Sequence, residues 1–148
     1  MKPLILFISR PILKKGWEVV QKLRGEIPEF KLITLSGTPN HQLPDYLNAA
    51  DLVITAAQYK ECFSRVILES LFCGTQVIYS SLDTAREYLE APYALPCKPT
   101  VLSLKLAIKR FFGDTRWQVP REEVRAYAMR EFGEKNLEVF KNAYKPYI

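Results

Sequence analysis

Histidine, cysteine and long apolar runs are all scarce in this sequence. Its 148 residues include one histidine, His41, and three cysteines, Cys62, Cys73 and Cys97. A lone histidine excludes histidine-based triads and metal clusters assembled within the chain. Three cysteines at unpaired spacings give neither a disulfide framework nor a zinc site. No metal is therefore expected, and a reducing cytoplasm is the expected setting. No apolar run reaches the roughly 18–20 residues that cross a membrane. The run Leu4 to Ile8 is followed closely by Arg10, too soon for the apolar core of a signal peptide. The Gly-x-Gly-x-x-Gly fingerprint of dinucleotide-binding sites is missing as well. Repeats, low-complexity tracts and an internal domain boundary are absent, and the length predicts one domain.

What is present is ordinary for a globular protein: 48% apolar and 25% charged residues. Lysine and arginine (21) outnumber aspartate and glutamate (16), for a net charge of +5. That excess suits anionic ligands such as nucleoside diphosphates, and an anionic membrane surface. It is too modest, and too little interleaved with aromatics, to predict nucleic-acid binding.

Along the chain, Leu4 to Ile8 reads as a fully buried strand. A helix over Trp17 to Leu23 follows, with Trp17, Val20 and Leu23 facing inward. A second strand spans Lys31 to Ser36, and a short helix with Pro44 in its first turn spans Leu43 to Ala50. A third strand begins at Leu52, and a fourth runs from Val77 to Ser80. A short helix is expected around Ala85 to Leu89. The proline-bearing run Ala91 to Pro96 is at best an edge strand. A helix from Thr100 or Ser103 to about Phe112, and a last one from Glu122 to Tyr144 broken near Gly133, complete the chain. Tyr127, Phe132, Phe140 and Tyr144 recur at roughly helical spacing and read as packing residues. Strands alternating with helices predict an α/β fold, a single doubly wound parallel sheet of Rossmann-like type with C-terminal helices.

The most informative stretch runs from Glu61 to Ile78. Strand Leu52 to Thr55 enters a polar loop, Ser64 is placed to cap a helix reaching about Cys73, and Gly74 closes it. Glu69 sits in that helix among Val66, Ile67, Leu68, Leu71 and Phe72. It is therefore expected to be buried, where an ionised carboxylate needs hydrogen-bond donors. Glu61 lies eight residues earlier, on the loop. Helix N-termini at the carboxyl ends of parallel strands bind anions and nucleotides. A ribose diol would satisfy Glu69, and phosphates would satisfy the free N–H groups at the helix start. Cys62 has no histidine or cation pattern beside it to make it a nucleophile, and Cys73 is expected to be buried.

The Glu-x7-Glu pair, followed by Cys-Gly-Thr-Gln-Val-Ile, resembles the donor-binding half of the GT-B glycosyltransferases of the large retaining group that includes sucrose, glycogen and mannosyl transferases. Ser9 to Gly16 (S-R-P-I-L-K-K-G) resembles that family's G-R-x-x-x-x-K-G, and Arg125 to Gly133 resembles its closing segment. The resemblance implies catalytic roles for Glu61, Arg10 and Lys15: the first beside the transferred sugar, the two cations on the diphosphate. It implies donor-binding roles for Glu69 at the ribose and for the backbone of Phe63, Ser64 and Arg65 at the phosphates or sugar. Two fixed cations make chemical sense there, since charge develops on the leaving diphosphate as the glycosidic bond breaks.

The chain departs from the family in three places. Ala56 and Ala57 stand where the family often has Pro-Ser. Ser81 to Thr84 replaces its Gly-Gly loop, with Glu87 where its glutamate falls. The spacing from Gly37 to Leu43 is short. The resemblance covers one half of a GT-B enzyme, so it implies a nucleoside diphosphate sugar as substrate, no cofactor, and an N-terminal acceptor domain joined in cis or in trans. Two other readings fit the same residues: a non-catalytic nucleotide-binding or assembly module, and half of a nucleotide-sugar 2-epimerase.

Overall fold

The computed structural model describes residues 1–135. Five parallel strands form one sheet in the order β2-β1-β3-β4-β5. They are β1 (Leu4–Ile8), β2 (Lys31–Leu35), β3 (Leu52–Ile54), β4 (Val77–Ser80) and β5 (Ala94–Cys97). Among the described residues, five α-helices accompany them: α1 (Trp17–Glu26), α2 (Leu43–Ala49), α3 (Arg65–Phe72), α4 (Val101–Gly113) and α5 (Arg121–Phe132). The expected α/β, doubly wound architecture is the one observed.

The apolar strand runs follow from helices covering both faces. Alternate side chains of β1 go opposite ways. Ile5 and Phe7 join Val20, Leu23, Leu104 and Ile108 in a core under α1 and α4. Leu6 joins Leu47, Ile67, Leu71, Val124 and Tyr127 under α2, α3 and α5. The proline-bearing β5 takes the sheet edge, where Pro96 removes no ladder bond that a central strand would need.

Helix ends follow local chemistry. Thr100 caps α4, its hydroxyl accepting from Ser103 N–H at 3.2 Å. Gly74 follows α3 in the left-handed region at φ 78°, and a Cβ there would lie 2.7 Å from the Arg121 carbonyl oxygen. Arg121 and Arg125 fasten α5 to the far end of α3: Arg121 donates to Thr75 Oγ1 at 2.8 Å and Arg125 to the Cys73 carbonyl at 3.0 Å.

Some expectations need correcting. The segment after β4 is one 3-10 turn, Thr84–Glu87, rather than a helix reaching Leu89. Asp83 caps that turn through Ala85 N–H, and the chain leaves helical geometry at Tyr88. Cys73 is half-buried because it ends α3 at the surface. The break near Gly133 is present, whereas the expected continuation to Tyr144, with Phe140, lies outside the described residues.

Candidate functional site

An open cleft of about 590 Å³ lies at the carboxyl ends of β1, β2 and β3. In the order 2-1-3-4-5 the connection after β1 runs to β2 on one side and the connection after β3 runs to β4 on the other, and the gap between β1 and β3 is where such sheets bind ligands. Arg10, Lys15, Glu61, Phe63, Ser64, Arg65 and Glu69 all line this one cleft. The residues nominated from sequence are thus brought together from three segments, the last two of them continuous in sequence.

The first segment follows β1. A 3-10 turn over Leu13–Lys15 ends at Gly16, φ 82°. A Cβ on Gly16 would meet the Ala56 carbonyl oxygen at 2.0 Å, so only glycine lets this loop sit against the end of β3. Gln58 N–H donates to the Lys14 carbonyl at 2.8 Å and completes the junction. The small residues Ala56 and Ala57, buried beneath it, are what make the approach feasible.

That seating aims Lys15 at the second segment. Its ammonium forms an ion pair with Glu61 Oε1, with side-chain exposures of 23% and 14%, and sits 5.8 Å from the Tyr59 ring centroid. Lys15 is therefore not a solitary cation waiting for an anion: a carboxylate 46 positions along the chain already holds it. Arg10 and Arg65 are exposed and are absent from the ion pairs among the described residues.

The third segment is the start of α3. Ser64 occupies the cap position, but its hydroxyl makes no cap bond. The N–H groups of Phe63 and Ser64, expected to face a ligand, are already taken. Phe63 N–H donates to Thr84 Oγ1 and Ser64 N–H to Asp83 Oδ2, each at 3.1 Å. Ile67 N–H turns back to the Ser64 carbonyl at 3.1 Å. This leaves the Arg65 and Val66 N–H groups, both from cleft-lining residues, at the open end of the helix.

Glu69 departs from expectation in burial. It is half-buried rather than sealed in the core, because only the Ile67, Ser70 and Leu71 side of α3 packs inward while Phe72 is exposed. Its carboxylate borders the cleft and has no ion-pair or hydrogen-bond partner among the described side chains, Arg65 included. A half-buried acid with free lone pairs at a cleft wall can accept hydrogen bonds from a ligand's hydroxyls.

The cysteines separate by environment. Cys62 is exposed at the cleft, burial pushes the Cys97 thiol up to about 11, and burial also raises Cys73. No group of three or more His, Cys, Asp or Glu is placed to hold a metal among the described residues, and no helix there is long and apolar enough to cross a membrane. Asp83 and Thr84 were not nominated from sequence. The Asp-Thr pair after β4 signals a local cap, but its reach back to Phe63 and Ser64 appears only in the fold. Ser36, expected as the end of the second strand, and Gly37, Thr38 and Asn40, expected as the turn after it, also wall the cleft, although the sequence marks none of them as a site residue.

Residues 28–131 match the family model described as Glycosyl transferases group 1. No curated protein matches the chain in sequence. Among solved structures, it is similar to sucrose-phosphate synthase from Thermosynechococcus elongatus, with TM-score 0.77 and 18% identity over 99% of this chain and 46% of that one. It is similar also to Anabaena HepE in complex with UDP and glucose, with TM-score 0.78 and 19% identity over 95% of this chain and 48% of that one. A third likeness is to the catalytic domain of cholesterol-α-glucosyltransferase from Helicobacter pylori, with TM-score 0.66 and 14% identity over 88% and 99% of the two chains. This chain spans about half the length of the first two, and at these identities the likeness concerns the fold.

Proposed function

The chain belongs to the group 1 glycosyl transferases, and from that premise we propose that its cleft binds a nucleoside diphosphate sugar as the donor half of a retaining, hexosyl-transferring enzyme. The observation that carries this reading is the meeting of cations and carboxylates in one cleft. Arg10, Lys15 and Arg65 stand with Glu61 and the unpaired Glu69 at the switch point of the sheet.

Each residue then has a chemical task. Glu69 accepts hydrogen bonds from the ribose diol. The Arg65 and Val66 N–H groups, at the positive end of α3, face the diphosphate. As the bond between the sugar carbon and the diphosphate oxygen breaks, negative charge grows on the leaving group, and Arg10 and Lys15 stabilise it. Glu61 accepts from a sugar hydroxyl and need not act as base, because the departing phosphate oxygen can take the acceptor's proton. The Lys15–Glu61 pair adds a condition: an incoming diphosphate competes with Glu61 for the ammonium. The reaction so described uses no metal or cofactor. The acceptor site comes from an N-terminal domain in cis or in trans, and the chain by itself binds donor weakly and transfers nothing.

Calorimetric titration with UDP, GDP and ADP tests this, using the wild-type chain, Glu69→Ala and Lys15→Ala. The expected result is binding of one nucleotide, lost or much weakened in both variants. Binding that survives both substitutions undiminished contradicts the assignment. If the chain binds none of the three, repetition with the N-terminal domain present must restore binding for the reading to stand.

A further inference from the structure

The loop that carries Glu61 is held by residues from another part of the chain. Both backbone polar groups of Glu61 are bonded to the loop after β4: its N–H donates to the Leu82 carbonyl at 3.4 Å, and its carbonyl accepts from Thr84 N–H at 2.9 Å. Two residues on, Phe63 adopts φ 41°, a region that bulky side chains avoid. Its ring is pinned by Phe132 and Tyr88, at centroid distances of 5.7 and 6.0 Å. Its N–H is held by the Thr84 hydroxyl at 3.1 Å.

Asp83 completes the fastening. It is 1% exposed and has no ion-pair partner among the described residues. Its two carboxylate oxygens are shared between loops, Oδ2 accepting from Ser64 N–H at 3.1 Å and Oδ1 from Ala85 N–H at 2.8 Å. A buried carboxylate is costly unless its lone pairs are satisfied, and here that satisfaction depends on one particular separation of the two loops.

We propose that Asp83 and Thr84 are positioning residues that hold the Glu61–Ser64 loop in register, so that the Glu61 carboxylate is set for the transferred sugar while the start of α3 stays open to the diphosphate. The proposal rests on the donor-binding reading above. Asp83 and Thr84 do not line the cleft; they act through Glu61. Two N–H groups at the entry to α3 are thereby withdrawn from ligand binding in exchange for a fixed backbone.

Two measurements on the full chain test this with Thr84→Val, which keeps the side-chain shape and removes the acceptor, and Thr84→Ser, which keeps the hydroxyl. The first is amide hydrogen exchange in the free protein. Loss of the acceptor for this half-buried N–H should speed exchange at Phe63 by about tenfold in the valine variant and leave the serine variant near wild type. The second compares affinity for a bare nucleoside diphosphate with affinity for its hexose ester. Thr84→Val should lose most of the added affinity that the sugar confers, roughly fivefold, while bare diphosphate binding changes less than twofold. Glu61→Gln should lose the same increment, and the double variant should lose no more than either single one.

Unchanged exchange at Phe63, equal weakening of both ligands, or a serine variant that behaves like valine would each overturn the positioning role. A wild-type chain that binds the diphosphate but gains nothing from the sugar would overturn it too, since Glu61 would then not meet the sugar. A chain that binds no nucleotide at all, even with the N-terminal domain supplied, would sink the donor reading itself. The exchange rates would still pass or fail the clamp.

Discussion

Replacing Gly16 by alanine tests whether the cleft is seated as described. Two costs add at this position. The backbone is at φ 82°, and a left-handed conformation costs a residue bearing Cβ about 1–2 kcal/mol. The new Cβ would also lie 2.0 Å from the Ala56 carbonyl oxygen and 2.6 Å from the Ala56 Cβ. Both neighbours are rigid, so the loop after β1 must lift from the end of β3, and overpacking of that kind costs about 1–3 kcal/mol. Gly37 is the internal control: its φ is 68°, but nothing lies within 4 Å of its would-be Cβ. Gly37→Ala should therefore show the backbone cost alone. Urea denaturation with linear extrapolation measures both, and Gly16→Ala should be the less stable by about 2 kcal/mol, or roughly 4–8 °C in melting temperature for a chain of this size. If Gly16→Ala is no worse than Gly37→Ala, the loop does not pack against β3 and the placement of Lys15 loses its cause.

Three further outcomes are expected. Glu61→Gln releases Lys15 and should tighten binding of a bare nucleoside diphosphate roughly fivefold while abolishing the gain from the sugar; weaker diphosphate binding would refute the competition between carboxylate and phosphate. Burial, and then the neighbouring Asp83, push the Tyr79 hydroxyl from 10.0 up to about 12. Folding therefore favours the protonated phenol, and stability is full below about pH 10 and falls as pH rises toward 12, by about 2–3 kcal/mol from this group alone. Tyr79→Phe should flatten that alkaline limb of a melting-temperature profile, and an unaltered limb would refute the assignment. Cys62 should be the one fast thiol toward alkylation in the native chain, since Cys97 and Cys73 are raised by burial; added nucleotide should slow it, because Cys62 lines the cleft.

The strands were legible in the sequence because parallel strands covered on both faces leave uninterrupted apolar runs. Leu4–Ile8 and Val77–Ser80 begin and end where their composition changes. Gly74 and Thr100 marked helix ends for local reasons that the fold preserves. Glu61 and Glu69 drew notice through the resemblance they share with the Cys-Gly-Thr-Gln-Val-Ile that follows, the spacing alone being too common to single them out, and both line the one cleft. What stayed hidden depends on residues distant in sequence. Apolar neighbours suggested that Glu69 was buried, yet only the partner surfaces decide which side of α3 is covered. The Lys15–Glu61 pair and the Asp83 and Thr84 bonds join segments 46 and about 20 positions apart, and no periodicity encodes them.

The central claim is the location of donor binding, and backbone amide shift mapping during titration with UDP, GDP or ADP, whichever binds, measures it most directly. The account predicts perturbations concentrated at Ser9–Arg10, Lys15, Ser36–Thr38 and Glu61–Glu69, at the carboxyl ends of β1 to β3. Perturbations centred instead on the small cavity at the opposite end of the sheet, around Thr75, Gln76 and Arg121, would contradict it.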